Sequence, residues 1–147
     1  MRASEFRLAA GMSARRGARA ALCGAVALLA ACGSPHTDYP TLAEARAAGV
    51  IDQGRLPTVV PPSAALIRVE RDGERAAGYY HFSSADYAPM VARLTPLAQL
   101  PADPLLQDWV KRKDLAGYNP YTVAEGSTTW LLMCAQNKGR CYFRRMG

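Results

Sequence analysis

The sequence contains little of what most catalytic and metal sites are built from. It has two histidines and four cysteines among 147 residues. We can assemble from it no Ser/His/Asp set, no supported pair of carboxylates and no glycine-rich loop that would hold a phosphate group. Neither His36 nor His81 has the spacing from Cys134 and Cys141 that a zinc site requires. The sequence therefore favours a protein that is not an enzyme and uses no cofactor and no metal, with a hydrolase left open as an alternative.

The sequence also lacks an apolar run long enough to cross a membrane. The run from Ala20 to Ala31 has 12 residues, whereas a helix needs about 20 to cross a bilayer. Arg15, Arg16 and Arg19 precede it, and a basic segment followed by a short apolar one is typical of an export signal. Met12 is an alternative start, because a signal that began there would have a short first segment with no acidic residue.

The apolar run ends in Leu29-Ala30-Ala31-Cys32, followed by Gly33 and Ser34. This junction resembles the lipobox of bacterial lipoproteins, in which an apolar residue and two small ones precede an obligatory cysteine. The resemblance implies cleavage between Ala31 and Cys32 and attachment of a diacylglycerol, such as one carrying palmitate, to the sulfur of Cys32. Two or three acyl chains anchor a protein stably, because each buried methylene contributes about 0.8 kcal/mol. An ordinary signal cut after small residues, with Cys32 as a bystander, stays an alternative.

The lipobox resemblance also implies a location. The protein is expected at the cell membrane, lipid-anchored and facing the periplasm, with its partners in the cell envelope. Gly33 stands where the lipoproteins that enteric bacteria retain in the inner membrane carry aspartate. By that analogy we expect the outer membrane rather than the inner one.

Most of the excess of basic over acidic residues in the chain lies in the predicted signal. Five of the 18 basic residues and one of the 12 acidic ones lie in residues 1–31, which leaves 13 basic and 11 acidic residues. This near-neutral remainder removes the electrostatic argument for binding nucleic acid. The 116 residues from Cys32 onward suit one small domain. We therefore predict a signal over residues 1–31, a flexible lipidated tether over 32–38 and a single domain over 39–147.

Local patterns predict a small α+β domain with an antiparallel sheet, hairpins and two packed helices. Thr41-Leu42-Ala43-Glu44 is a capping box that starts a helix, and Gly49 is placed to end it. Ser83 and Ser84 can cap a second helix that runs to about Leu94. Strands are predicted at 65–71, 76–83, 128–135 and 140–145, and prolines at 96, 101 and 104 predict irregular chain between them.

The stretch from residue 39 to residue 67 contains a distinctive set of residues: Tyr39, Thr41, Ala43-Glu44-Ala45, Gly49, Gly54, Leu56-Pro57, Pro61-Pro62-Ser63-Ala64 and Ile67. In these residues the chain resembles a family of uncharacterised bacterial proteins that share the YbbD-type head domain. The family commonly has tryptophan before its Leu-Pro pair, where this chain has Arg55. The resemblance implies a fold and an export context, and it implies no activity.

Cys134 and Cys141 are expected to form a disulfide, because the compartment outside the cytoplasm allows such bonds to persist. If Ala135 pairs with Arg140 across a four-residue loop, the two cysteines lie directly opposite each other. The same register puts Trp130, Leu132 and Phe143 on the face of the cystine, which we therefore predict to be the core side. A redox-active pair is the alternative, although the spacing is not C-x-x-C.

Two segments are candidates for contact with a protein of the envelope. Tyr118 and Tyr121 look exposed on a turn, where tyrosine gives a large contact area at low entropic cost. The proline-rich segment 57–62 is the second candidate. Residues 111–113, Lys-Arg-Lys, form a solvated face or, alternatively, approach anionic lipid. The predicted function is a protein-binding module, with a structural accessory of an envelope complex as the alternative.

His81 is the only residue of the predicted sheet that suggests a catalytic base. Such a base needs a positioned partner, and none can be identified from the sequence. A histidine on the polar face of a strand is the interpretation that we favour.

Overall fold

A computed structural model describes residues 36–73 and 75–147, which form one small α+β domain, as predicted. The predicted signal, its cleavage site and the lipid site at Cys32 lie outside the described residues. The strands are β1 (His36–Thr41), β2 (Ala65–Asp72), β3 (Arg75–His81), β4 (Thr95–Pro96), β5 (Asn119–Glu125), β6 (Thr128–Ala135) and β7 (Arg140–Met146). The α-helices are α1 (Leu42–Ala47), α2 (Tyr87–Val91) and α3 (Pro104–Arg112), and short 3₁₀ turns occupy Ser84–Asp86 and Gln136–Lys138.

All seven strands belong to one antiparallel sheet with the order β1-β2-β3-β7-β6-β5-β4. The first three strands form a meander, and the chain then crosses through α2 to the far edge to make β4. After α3 it returns through β5, β6 and β7, so that β7 pairs with β3 in the middle of the sheet. The contacts across β3 and β7 therefore join the two halves of the chain.

The sheet is buried on both faces. On the first face, α1, α2 and the loop between α1 and β2 cover the cystine together with Ile67, Tyr80 and Phe143. On the second face, α3 packs through Leu106 and Trp109 against β6 and β7. The core side predicted for the cystine is confirmed, but the sequence analysis did not foresee the second apolar layer.

The ordered domain begins earlier than predicted. Residues 36–38, assigned to a flexible tether, lie in β1, where Thr37 is opposite Val69 and Asp38 is opposite Arg68. The prediction was wrong because it judged the segment by its polar composition. The carboxylate of Asp38 accepts two hydrogen bonds from the Arg68 guanidinium, at 2.7 and 2.9 Å. This fork and the backbone pairing hold polar residues in an edge strand.

The capped first helix is confirmed. The hydroxyl of Thr41 accepts a hydrogen bond from the backbone N–H of Glu44 and donates one to its carboxylate. Gly49 follows the helix with φ +71°, a left-handed conformation that favours glycine. Leu42 and Ala45 are the buried residues of this short helix.

The other two helices differ from the prediction. The segment that follows Ser83 is a 3₁₀ turn and then the five-residue α2, and no side chain caps either of them. Helix α3 was missed, although Asp103 and Pro104 are a typical helix start. The Asp103 carboxylate accepts from the backbone N–H groups of Leu105 and Leu106. The prolines that predicted irregular chain at 96 and 101 obscured this signal.

Candidate functional site

The predicted disulfide joins Cys134 and Cys141 across the β6–β7 hairpin. The two residues are opposite each other in the sheet, with Cα atoms 4.1 Å apart, and both are fully buried. Trp130, Leu132 and Phe143 share their face, as the predicted register requires. A reactive thiol pair needs access to its partners, so this buried bond is part of the core rather than a site.

Neither tyrosine proposed as a partner contact is freely exposed. Tyr118 is buried, with 8% of its surface accessible, in the layer beneath α3. Tyr121 is half-buried against the opposite layer, and its hydroxyl lies 2.9 Å from that of Tyr87. Burial, helped by the hydrogen bond with Tyr87, raises the pKa of Tyr121 to about 12. The expectation of exposure was wrong, because Tyr121 lies in β5 and not in a turn.

The proline-rich segment, the second proposed contact, is also largely engaged by the fold. In the proline-rich segment, Pro57, Val59, Val60 and Pro61 are buried. The backbone N–H and hydroxyl of Thr58 donate to the carboxylate of Glu125. The segment therefore covers the core, and of its six residues Thr58 and Pro62 are exposed.

The basic segment 111–113 is partly neutralised. Arg112 pairs with Asp72 and Asp108, at 3.2 and 2.9 Å. Lys113 pairs with Glu70. The segment lies at the end of α3, and its ion pairs fasten the helix to β2 while Lys111 and Arg112 stay exposed, as a solvated face requires.

A band of aromatic and basic side chains crosses the second face beside α3. We call it the tyrosine–arginine band and define it as Arg68, Tyr79, His81, Arg140 and Tyr142. It extends over β2, β3 and β7, because Tyr79 is opposite both Arg68 and Tyr142, and His81 is opposite Arg140. Residues that alternate along a strand point to the same side, so the register brings all five side chains together.

The members of the band are packed against one another. The guanidinium groups of Arg68 and Arg140 lie 5.6 and 5.5 Å from the ring centre of Tyr79. The Tyr142 ring is 5.5 Å from that of Tyr79, and the His81 ring is 6.0 Å from it. Cation–π contacts of this kind hold long arginine side chains in one orientation. The band is thus an ordered surface that carries positive charge.

The two arginines of the band differ in whether a carboxylate neutralises their charge. Arg68 is paired with Asp38, and this pairing lowers the pKa of the Asp38 carboxyl. Arg140 donates instead to two neutral groups, Nε2 of His81 at 3.1 Å and the hydroxyl of Tyr142 at 3.4 Å. Within the described residues it has no carboxylate partner. Its positive charge therefore remains available to an anionic group.

The bond from Arg140 also defines the state of His81. Burial, and secondly the charge of Arg140, lower the pKa of the imidazole. Its Nε2 accepts the hydrogen bond from Arg140, so the lone pair that a general base would use is already engaged. The arrangement supports His81 as a neutral acceptor that orients Arg140.

Leu66 lies beside the band in an unusual conformation. It has φ +49° at an irregularity in the pairing of β2 with β3, and 63% of its surface is exposed. A left-handed conformation costs a residue other than glycine about 1 kcal/mol or more. β-Bulges of this kind commonly re-aim a side chain next to a functional site. The fold therefore holds a large apolar side chain in solvent at the expense of local strain.

Leu66 lines a groove of about 350 Å³. The rest of the lining comes from β1, β2 and β3 and, apart from Pro40, is polar or aromatic: Asp38, Tyr39, Pro40, Arg68, Tyr79 and His81. Arg140 does not line the groove itself but donates a hydrogen bond to His81, which does. The site combines an apolar contact at Leu66 with an uncompensated cation at Arg140, which suits a ligand that has an apolar group and an acidic group.

The sequence analysis missed most of this site. It placed His81 on the polar face of a strand, but it did not bring Arg140 or Leu66 to it. The pairing of β3 with β7 joins residues about 60 positions apart and has no local signal. One clue was available at Leu66, since the apolar pair Leu66-Ile67 interrupts the alternation of β2.

Comparisons with protein-family models, with curated proteins and with solved structures found no match. The resemblance to the YbbD-type head domain therefore stays a prediction. In the part of the chain that the structure describes, no helix combines the length and apolar character needed to cross a membrane. The same residues contain no cluster of three or more His, Cys, Asp or Glu side chains suited to a metal ion.

Proposed function

We propose that this protein is a lipid-anchored binding module of the bacterial cell envelope. The lipobox-like junction at Cys32 supports the anchor. The groove beside the tyrosine–arginine band supports binding of a partner protein through a short acidic segment that carries one bulky apolar residue. In this arrangement Leu66 contacts the apolar side chain and Arg140 binds the carboxylate.

The exposed Leu66 is the observation that carries the proposal. The strained conformation keeps its side chain in solvent, where it gains nothing from burial in the domain. Covering it with a partner would remove apolar surface from water, worth roughly 25 cal/mol per Å². Backbone strain retained without a stabilising contact is most simply explained by a contact made outside the domain.

A photoreactive amino acid at position 66 tests this binding in intact cells. Leu105 provides a matched control, because it is also 63% exposed but lies on α3. We expect one envelope protein to crosslink from position 66 and not from position 105. The crosslinked peptide should contain Asp or Glu near a large apolar residue. Equal crosslinking from both positions, or a crosslinked peptide without acidic residues, would contradict the proposal.

The charge of Arg140 is tested in the same cells. Arg140→Gln should weaken the crosslink from position 66 about tenfold or more, since charge-assisted hydrogen bonds are worth about 1.5–3 kcal/mol. Arg93→Gln is the control, because it removes an exposed arginine at the end of α2. An equal effect of both substitutions would show that general charge, and not the groove, governs binding.

The anchor is tested independently of the groove. Cys32→Ala should abolish incorporation of radioactive palmitate into the protein. Labelling that persists in this variant would refute lipid attachment at Cys32. It would leave the binding groove to be judged by the crosslinking results.

A further inference from the structure

Four arginines line one cavity at the end of the sheet that carries the β2–β3 turn. Arg71 lies near the end of β2, Arg75 begins β3, Arg145 lies near the end of β7, and Arg55 comes from the loop after α1. Together they line a cavity of about 330 Å³. We call these four residues the arginine cluster. Three strands and a loop contribute to it, so the fold, and not one basic run of sequence, brings the charges together.

The arginine cluster carries more positive charge than its surroundings neutralise. Within the described residues, only Arg75 has a carboxylate partner, Asp103 at 3.8 Å. Glu70 also lines the cavity, but it pairs with Lys113. Even if Glu74, which lies outside the described residues, is counted as a full negative charge, two positive charges remain uncompensated. Adjacent like charges repel, and an anion that binds between them relieves this repulsion.

The chemistry of the arginine cluster favours a phosphate group. A guanidinium presents a planar fork of N–H donors that matches two phosphate oxygens, and several such forks can share one phosphate. The amide side chain of Gln53 lies in the same lining and adds a neutral donor. Arg71 and Arg145 are exposed, so a phosphate that projects from a surface can reach them.

The arginine cluster lies close to where the chain emerges from its proposed anchor. His36, the first residue of β1, is opposite Glu70, the neighbour of Arg71. Only three residues separate Cys32 from His36, and the chain spans at most about 3.6 Å per residue, so these two Cα atoms are within roughly 14 Å. A lipid on Cys32 would therefore hold this end of the sheet at the membrane surface.

We propose that the arginine cluster binds the phosphate groups of anionic phospholipids in the membrane that holds Cys32. This placement rests on the proposed lipid anchor, whereas the affinity for phosphate rests on the arginines alone. Binding orients the domain with the β2–β3 turn toward the lipid. In the basic segment 111–113, two of the three cations, Arg112 and Lys113, are engaged by carboxylates, so the arginine cluster offers the larger uncompensated charge.

Chemical modification of arginine tests the proposal on the full chain as purified from cells. The protein is mixed with vesicles of phosphatidylcholine alone, or with vesicles that also contain phosphatidylglycerol. Phenylglyoxal then modifies accessible guanidinium groups, and mass spectrometry of the peptides gives the rate at each arginine. We expect Arg71 and Arg145 to react about tenfold more slowly with phosphatidylglycerol, the factor that corresponds to about 1.4 kcal/mol of binding. Arg46 and Arg93, which are exposed on α1 and just after α2, should react equally in both.

A third sample contains phosphatidylcholine vesicles and inorganic phosphate. If inorganic phosphate protects Arg71 and Arg145 as strongly as phosphatidylglycerol does, the ligand is soluble phosphate and not the lipid headgroup, which overturns the lipid assignment. Protection of Arg46 and Arg93 to the same extent as the cluster would overturn the proposal in favour of general surface attraction. Equal reaction of Arg71 and Arg145 in both kinds of vesicle would also overturn it. The mass of the peptide that contains Cys32 reports lipid attachment separately, so a failed anchor and a failed arginine cluster are distinguishable.

Substitutions provide a second measurement. In R71Q/R145Q, the protection of Arg55 by phosphatidylglycerol should be lost, whereas R46Q/R93Q removes the same charge and should retain it. Retained protection of Arg55 in the first variant would contradict a shared phosphate site. Circular dichroism of each variant confirms that a lost signal reflects the site and not unfolding.

Discussion

The buried arginine of the domain yields the most quantitative prediction. Arg144 is 2% exposed, beneath α3, and its Nε donates to the Asp72 carboxylate at 2.8 Å. Its guanidinium also lies 6.0 Å from the ring centre of Trp109. One nitrogen, Nη1, has no hydrogen-bond partner among the described residues. The charge of Arg144 therefore depends on Asp72, and we predict that Asp72→Asn destabilises the fold more than Arg144→Met does.

The structure sets the magnitude of this difference. Breaking a buried pair by removing one partner costs about 3–5 kcal/mol, because it leaves an uncompensated charge. The side chain of Asp72 retains 19% exposure, so water can compensate in part, and we expect about 3 kcal/mol for Asp72→Asn. Arg144→Met removes both the charge and its unpaired donor while filling similar volume. It should change the free energy of unfolding by about 1 kcal/mol or less.

Urea unfolding followed by tryptophan fluorescence measures these changes, since Trp109 and Trp130 are both buried. The double variant Asp72→Asn/Arg144→Met should be more stable than Asp72→Asn alone, because no charge is then left buried. A double variant whose loss equals the sum of the two single losses would refute this coupling. So would an Arg144→Met variant that is less stable than Asp72→Asn.

Three further predictions concern the sheet. Gly78→Ala should lower the free energy of unfolding by at least about 3 kcal/mol, since a Cβ there would clash with the carbonyl oxygen of Arg68. Urea unfolding measures this change. The control is Gly73→Ala, where a Cβ meets no atom and the cost should be only about 1 kcal/mol. Cys134→Ala/Cys141→Ala should cost roughly 2–3 kcal/mol in the same assay through the entropy of the unfolded chain, and an unchanged urea midpoint would contradict it. The pKa of His81 is lowered in the folded protein. Its contribution to stability is therefore complete above the unfolded pKa of about 6.5 and decreases as the pH falls below that value. The midpoint of thermal unfolding should accordingly vary less with pH over this range in His81→Gln than in the natural protein.

The local parts of the fold could be predicted from the sequence. Thr41 and Glu44, which cap α1, are only three positions apart in the sequence. A loop of four residues connects the paired strands of the β6–β7 hairpin. Capping boxes and short hairpins depend on neighbouring residues, whose types are visible in the sequence. The register of Cys134 and Cys141 was predictable for the same reason.

The parts that were missed depend on distant contacts. Polar composition at residues 36–38 suggested a tether, but Arg68 in β2 supplies the partner that holds Asp38 in a strand. Tyr118 looked exposed because glycine and proline surround it, but α3 covers it. Both faces of β6 are apolar, which fits a sheet with helices on both sides better than a sheet with one solvated face. That pattern was the available signal for the second layer.

The candidate site needed the topology of the sheet. Arg140 and His81 are far apart in sequence, and only the pairing of β3 with β7 brings their side chains to hydrogen-bonding distance. Sequence patterns gave the face on which each residue lies but not its neighbours across strands. The same is true of the arginine cluster, whose members come from four separate segments.

A charge exchange between Arg140 and the partner tests the central claim most directly. Arg140→Glu should abolish the in-cell crosslink from position 66, and replacing the acidic residue of the crosslinked partner segment by arginine should restore it. Each substitution alone places two like charges against each other, so the crosslink returns only if the two residues meet in the groove. A crosslink that survives Arg140→Glu, or one that the exchange fails to restore, would contradict the account.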